Sequence, residues 1–282
     1  MERIFKDQDG QTIAATTYGQ EENPLVILLH GGGQTRHAWD QASKNISEAG
    51  FHVVTYDLRG HGDSFWSKEG DYSIKAHKKD LISVIESLEK PSHLVGASLG
   101  GMTALSLAGD LFLSALTKSL VMVDIGIYPN PEGSDKIVQF MQSGGSGFSS
   151  LEEAAEAISR FIPHRKKPKD LSGLNKNLRL KEDGKYYWHW DPKFLQSRSE
   201  RKPGEESEFY KDQEESAKNI KIPTLLIRGA LSDVLTEEDK DHFLNTIKHS
   251  EFKEIKEAAH MVAGDKNDIF AESIISFLTK SN

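Results

Sequence analysis

The chain has 282 residues, 37% hydrophobic and 28% charged, with a mean hydropathy of −0.52; this describes a globular protein, and no apolar run is long enough to span a bilayer. It contains no cysteine, which removes disulfide scaffolds, thiolate metal sites and cysteine nucleophiles together and leaves Ser, His and carboxylates to carry any chemistry. A formal charge of −8 and a pI near 5.8 disfavour a nucleic-acid partner, because phosphate backbones are met by concentrated basic faces.

The segment Met1-Glu2-Arg3-Ile4-Phe5-Lys6-Asp7 lacks the basic and apolar regions of a secretion signal, so a cytoplasmic protein is expected. Thr12–Tyr18 is predicted as an outer strand, and Leu25–Leu29 and His52–Tyr56 as strands apolar enough to be covered on both faces. Ile74–Leu88 places Leu81, Ile82, Val84, Ile85 and Leu88 on a helical period. Residues 93–95 predict a further strand, 100–107 a helix and 120–123 another strand. After the insertion come strands at 224–227 and Glu251–Ile255, then a helix over 268–278. Strands alternating with amphipathic helices imply an α/β fold with a mostly parallel, twisted sheet flanked by helices.

Between residues 128 and 220 the character changes. Ser143-Gly144-Gly145-Ser146-Gly147 reads as a hinge that permits lid movement, and no strong strand follows before Pro223. The expected organisation is a core of residues 1–127 and 221–282 with a mostly helical cap at 128–220. The basic cluster His164-Arg165-Lys166-Lys167-Pro168-Lys169 is expected to be a solvated loop.

Gly96-Ala97-Ser98-Leu99-Gly100-Gly101 sits between a strand and a helix, which puts Ser98 on a sharp turn with its hydroxyl pushed outward. Glycines at 96 and 100 let strand and helix approach, and the helix start aims free N–H groups at the same spot. There is no GxxxxGK[ST] and no GxGxxG after the first strand, so no nucleotide cofactor is indicated, and neither a metal nor any other cofactor is expected.

His30-Gly31-Gly32-Gly33-Gln34 after one strand, Asp57-Leu58-Arg59-Gly60-His61-Gly62-Asp63-Ser64 after the next, and the Ser98 turn after the third resemble the successive signatures of the α/β-hydrolase fold superfamily. Residues 26–101 carry the strongest match, extended by 224–261. The resemblance implies an α/β-hydrolase fold, a serine nucleophile at Ser98 and a catalytic base at His260, with oxyanion donors in the backbone N–H groups of Leu99 and Gly32. It gives His30, His61 and Asp57 structural roles near the site. A serine at this turn sets the chain apart from the branches that use an aspartate nucleophile.

The third triad member must be a carboxylate that orients the imidazole. Asp233 follows a strand and gives the chain order Ser, Asp, His, so it is the expected acid; Asp124, at the end of 120–123, is the alternative and otherwise a pocket-shaping residue. Trp188, Trp190, Val234 and Met261 are expected to contact substrate, the two tryptophans from the aromatic run Tyr186-Tyr187-Trp188-His189-Trp190. The implied activity is hydrolysis of a carboxylic ester or lactone of a small, largely apolar substrate through an acyl-enzyme. Alternatives on the same triad are carbon–carbon bond hydrolysis and cofactor-free perhydrolysis of the haloperoxidase type; a non-enzymatic ligand receptor is the remaining one.

Overall fold

The computed structural model describes residues 1–163, 170–199, 205–256, 258–260 and 267–282. The basic cluster at 164–169 and Met261 therefore lie outside the described residues. In chain order the strands are β1 (Glu2–Lys6), β2 (Thr12–Tyr18), β3 (Leu25–Leu29), β4 (His52–Tyr56), β5 (Ser92–Ala97), β6 (Thr117–Val123), β7 (Leu178–Leu180), β8 (Tyr186–Trp188), β9 (Thr224–Gly229) and β10 (Glu251–Ile255). Eight of them form one sheet in the order β1-β2-β4-β3-β5-β6-β9-β10. The pairs β1–β2 and β2–β4 are antiparallel, and every other pair is parallel.

Every residue of β3 and β4 is buried, which is why these strands are apolar along their whole length instead of alternating. Their side chains still divide by parity between two cores. Leu25, Ile27 and Leu29 face a core shared with α2 (Ile74–Leu88) and α3 (Leu99–Ala108). Val26 and Leu28 face the opposite core, filled by Ile46 of α1 (Asp40–Glu48) and by Phe270, Ile274 and Phe277 of α9 (Asn267–Lys280). The helix α2 starts where the Ser73 hydroxyl accepts the Ala76 N–H at 3.2 Å and stops at Glu89, which is left-handed at φ 55°.

The approach of α3 to the sheet sets the position of Ser98. A Cβ on Gly100 would stand 2.4 Å from the Leu29 carbonyl oxygen, and one on Gly96 would stand 2.4 Å from the Gly100 oxygen. Gly100→Ala is therefore expected to destabilise the protein by about 3 kcal/mol, because backbone has to move. Urea unfolding checks this as a drop in midpoint at constant slope.

Residues 128–220 hold α4 (Pro131–Gln142), α5 (Leu151–Phe161), the β7–β8 hairpin, α6 (Lys193–Ser199) and α7 (Glu205–Asn219). Two findings refine the expected helical cap. The hairpin adds a small antiparallel sheet that carries Trp188. The last helix, α7, packs on α3 instead of roofing the sheet: Ala217 joins the main core, and a Cβ on Gly109 would meet the Ser216 carbonyl at 2.1 Å.

The glycine-rich turn at 143–147, expected to act as a hinge, is hydrogen-bonded to the β7–β8 hairpin. Trp188 Nε1 donates to the Ser143 oxygen at 2.7 Å, and Lys185 Nζ donates to the Ser146 oxygen at 3.1 Å. Gly144 and Gly147 have φ of 77° and 78°, with aromatic rings of Phe148 and Tyr187 packed where side chains would be.

The cap is tied to the core loop that follows β4. His189 Nδ1 accepts the Gly62 N–H at 2.8 Å, the Asp191 N–H donates to the Gly60 oxygen at 2.9 Å, and the Tyr72 hydroxyl donates to Asp191 at 2.5 Å. At the other side Lys176 donates to Asp40 at 2.9 Å.

Candidate active site

Gly32, Ser98, Leu99, Asp124, Asp233, Val234 and His260 follow parallel strands at one edge of the sheet, the carboxyl edge where open α/β sheets bind ligands, whereas Trp188 and Trp190 come from the cap hairpin. Ser98 has φ 48° and ψ −115°, a strained conformation for a residue with a side chain, and it is held by its place between the last residue of β5 and the first of α3. Asp124, one residue past β6, is also left-handed at φ 51°. Because Ala97 is in register with Val123, Ser98 and Asp124 emerge from neighbouring strand ends.

His260 arrives from farther away. Its loop leaves β10, two strands beyond β6, and crosses back over the end of β9. The Leu231 N–H donates to the Ala258 oxygen at 2.9 Å, and a Cβ on Gly229 would lie 2.5 Å from the Ala259 oxygen. Glycine at 229 is thus what allows the crossing. At the end of that path His260 Nδ1 lies 2.8 Å from Asp124 Oδ2.

The structure places Asp124, and not the expected Asp233, against His260. Asp233 is half exposed and its Oδ2 accepts from Lys136 Nζ on α4 at 2.6 Å. Asp124 is fully buried and accepts three hydrogen bonds: from the Gly229 N–H at 2.8 Å, from the Ser232 hydroxyl, and from His260 Nδ1. The physical reason lies in the turn after β9. Ser232 N–H donates to the Gly229 oxygen at 3.0 Å, which curls the chain so that Gly229 and Ser232 face Asp124 while the next residue, Asp233, turns outward. Asp124 is accordingly no pocket-lining residue either.

Three consecutive N–H groups follow the strand β3 towards Ser98, and two are already occupied. The Gly31 N–H donates to Gln34 Oε1 at 2.9 Å, and the Gly33 N–H donates to His61 Nε2 at 3.1 Å. Of the three, only the Gly32 N–H has no partner among the described residues. Leu99 places a further backbone N–H at the first turn of α3.

Histidines support this loop without exposure to water. His30 donates from Nδ1 to the Gly31 oxygen at 2.8 Å and accepts the Leu58 N–H at 2.9 Å. Burial pushes His30 down to about 4 and His61 to about 3, with the nearby His30 ring adding to the effect on His61. Both are neutral at pH 7, which His61 Nε2 requires in order to accept from Gly33. Asp57 is buried against Arg36, whose backbone N–H it also accepts at 2.7 Å, so the Asp57–Ser64 segment is structural as expected.

A cavity of about 420 Å³ opens over Ser98, His260, Gly32 and Leu99. Its far wall is aromatic. Trp188 and Trp190 stack at 4.9 Å between centroids, and Phe140 and Phe161 stack at 4.2 Å. The tryptophans thus both pack the cap and face the cavity. Val234 is 1% exposed and faces a second, adjoining cleft instead. Sequence reasoning missed Gln34, Gly229 and Ser232, none of which carries a signal without knowledge of what lies beside it.

This constellation on this sheet defines a hydrolase framework, and the comparisons agree. The family model for the α/β-hydrolase fold matches residues 24–266, and the chain belongs to that family. An esterase of Mycobacterium tuberculosis is 28% identical over 252 residues, covering 86% of this chain and 78% of that one. Its solved structure superposes with a TM-score of 0.77 at 25% identity, covering 99% and 92% of the two chains. Protein phosphatase methylesterase 1 of Bos taurus is 31% identical over 140 residues, 48% of this chain and 37% of that one. The crystal structure of E-2-(acetamidomethylene)succinate hydrolase shares the fold, with a TM-score of 0.83 at 18% identity over 99% of each chain.

Proposed function

We propose that this protein is a serine esterase that hydrolyses carboxylic esters of small, largely apolar acids through an acyl-enzyme. The observation that carries the reading is the His260 ring bonded at 2.8 Å to a buried Asp124 carboxylate while facing the same cavity as Ser98. With Nδ1–H donated to Asp124, the lone pair of Nε2 is left to take the Ser98 proton. Ser98 Oγ then attacks the ester carbonyl, and the N–H groups of Gly32 and Leu99 meet the oxyanion. His260 passes its proton to the leaving alcohol, and water, activated by the same ring, releases the acid.

Esterase relatives support the ester over other substrates of the fold. The aromatic cavity supports an apolar acyl group, since most of its wall can bury hydrocarbon. The test is labelling of purified protein with a fluorophosphonate probe together with turnover of p-nitrophenyl esters. Ser98→Ala is expected to lose labelling entirely and turnover by about a million-fold. Faster turnover of a vinylogous diketone, or peroxide-dependent halogenation exceeding ester hydrolysis, would replace the ester reading with the corresponding chemistry on the same serine.

A further inference from the structure

Beside the cavity over Ser98 lies a second cleft, of about 680 Å³, between α4, α5 and the turn after β9. The two share Ile137, Phe140, Phe161, Ile162 and His260 as lining, so they adjoin at these residues. Their chemistry differs. The first contains Ser98, Gly32 and Leu99, the groups that hold the acyl carbon and its oxygen. The second contains Ala259 and His260 and none of those three.

In acyl transfer the carbonyl carbon bonds Ser98 Oγ while the bond to the alkoxy oxygen breaks, and that oxygen takes the proton carried by His260. The leaving group must therefore lie on the His260 side. A route that passes His260 but not the oxyanion donors fits the leaving alcohol and not the acyl chain.

The rim of this cleft is charged. Lys136 Nζ is engaged by Asp233 at 2.6 Å. Arg160, exposed in the last turn of α5, lines the cleft and makes no ion pair with a described residue. Arg160 also acts at longer range on the Glu153 carboxylate of the same helix, but among the described residues lining the cleft it is the charge without a close ion pair, and it is positive, whereas the chain as a whole carries −8.

Building on the serine-esterase reading above, we infer that the second cleft is the leaving-group site and that Arg160 selects esters whose alcohol or thiol carries an anionic group. The substrate is then divided by chemistry, with an apolar acid in the aromatic cavity and an anionic leaving group in the cleft. Atoms balance as in ordinary ester hydrolysis: water supplies hydroxyl to the acid and hydrogen to the departing alcohol or thiol.

The test fixes the acyl group as butanoyl and compares its glycolate ester, which is anionic, with its choline ester, which is cationic. Intrinsic reactivity cancels when the ratio of kcat/KM for the two esters is compared between wild type and Arg160→Glu. That ratio is expected to fall about tenfold or more in the variant and to shrink towards the variant's value as salt is raised. A ratio that the substitution leaves unchanged overturns the assignment, as does a wild type that turns over ethyl butanoate and neither charged ester. In a second measurement Gln139→Trp, on the exposed rim of the same cleft, is expected to penalise esters in proportion to alcohol size; a penalty following acyl length instead reverses the two sites. Failure of the serine-esterase reading itself shows separately, as Ser98→Ala retaining turnover.

Discussion

Asp124→Asn is expected to lower kcat by about a thousand- to ten-thousand-fold, while Asp233→Asn costs less than about tenfold. The asparagine is nearly isosteric and keeps an oxygen for the Gly229 N–H, which is 2.8 Å from the present carboxylate. Its amide then faces His260 Nδ1 and donates where the carboxylate accepted. The imidazole is driven to the tautomer protonated on Nε2, which has no lone pair for the Ser98 proton, and the imidazolium of the transition state loses its buried counter-charge. Asp233, half exposed and paired with Lys136, offers nothing of this kind. Steady-state kinetics of the two variants, with circular dichroism to confirm the fold, decide the matter; an inactive Asp233→Asn beside an active Asp124→Asn would reverse the assignment.

Mild acid is expected to unfold the protein, through its buried histidines. His30 and His61 have ordinary values near 6.5 when unfolded and about 4 and about 3 when folded, because burial disfavours the charged ring. The unfolded chain therefore binds more protons, and stability is full above about pH 6.5 and lost as pH falls towards the folded values. At pH 5 each of the two costs about 2 kcal/mol relative to neutral pH, a large share of the roughly 5–15 kcal/mol that holds a typical domain. His77 and His189 are displaced in the same direction by burial and add to the slope. Urea midpoints at pH 7.5 and pH 5 measure the effect. His77 has no hydrogen-bond partner for either ring nitrogen among the described residues, so His77→Leu is expected to flatten the pH dependence in part without loss at neutral pH. Midpoints equal at both pH values would show that these rings are solvated in the folded protein.

In molecules that remain folded, activity is expected to fail only as pH approaches the folded value of His61, about 3. Protonated His61 Nε2 cannot accept from the Gly33 N–H, and the loop presenting Gly32 loses one of its two anchors. The cap loosens at the same place, since His189 accepts from Gly62 in the core loop that carries His61.

What could be read from sequence was whatever a short segment determines by itself. The strands Leu25–Leu29 and His52–Tyr56 and the helix Ile74–Leu88 were legible to the residue, because burial on two faces or one writes a composition or a period into consecutive positions. Most elements with few buried apolar residues were not, the edge strand Glu251–Ile255 excepted. The edge strand β1 buries only Phe5, α1 is mostly polar, and α8 (Glu237–Thr246) buries only Phe243, its one local mark being the capping box of Thr236 and Asp239. In the cap, the residues that make the aromatic wall come from α4, α5 and the hairpin and meet only when these pack.

The site divides in the same way. Ser98 was legible because its strained turn, its flanking glycines and its helix start are all local, and His260 because it stands in the loop after the last strand. The choice between Asp124 and Asp233 belonged to the tertiary structure alone. Both follow a parallel strand at the same edge of the sheet, so sequence places them equally well. The decision rests on where the His260 loop crosses β9, on Gly229 leaving it room, and on the Gly229 and Ser232 donors that turn one carboxylate inward and leave its rival to Lys136. Those are contacts between segments about a hundred residues apart, and no property of either segment by itself encodes them.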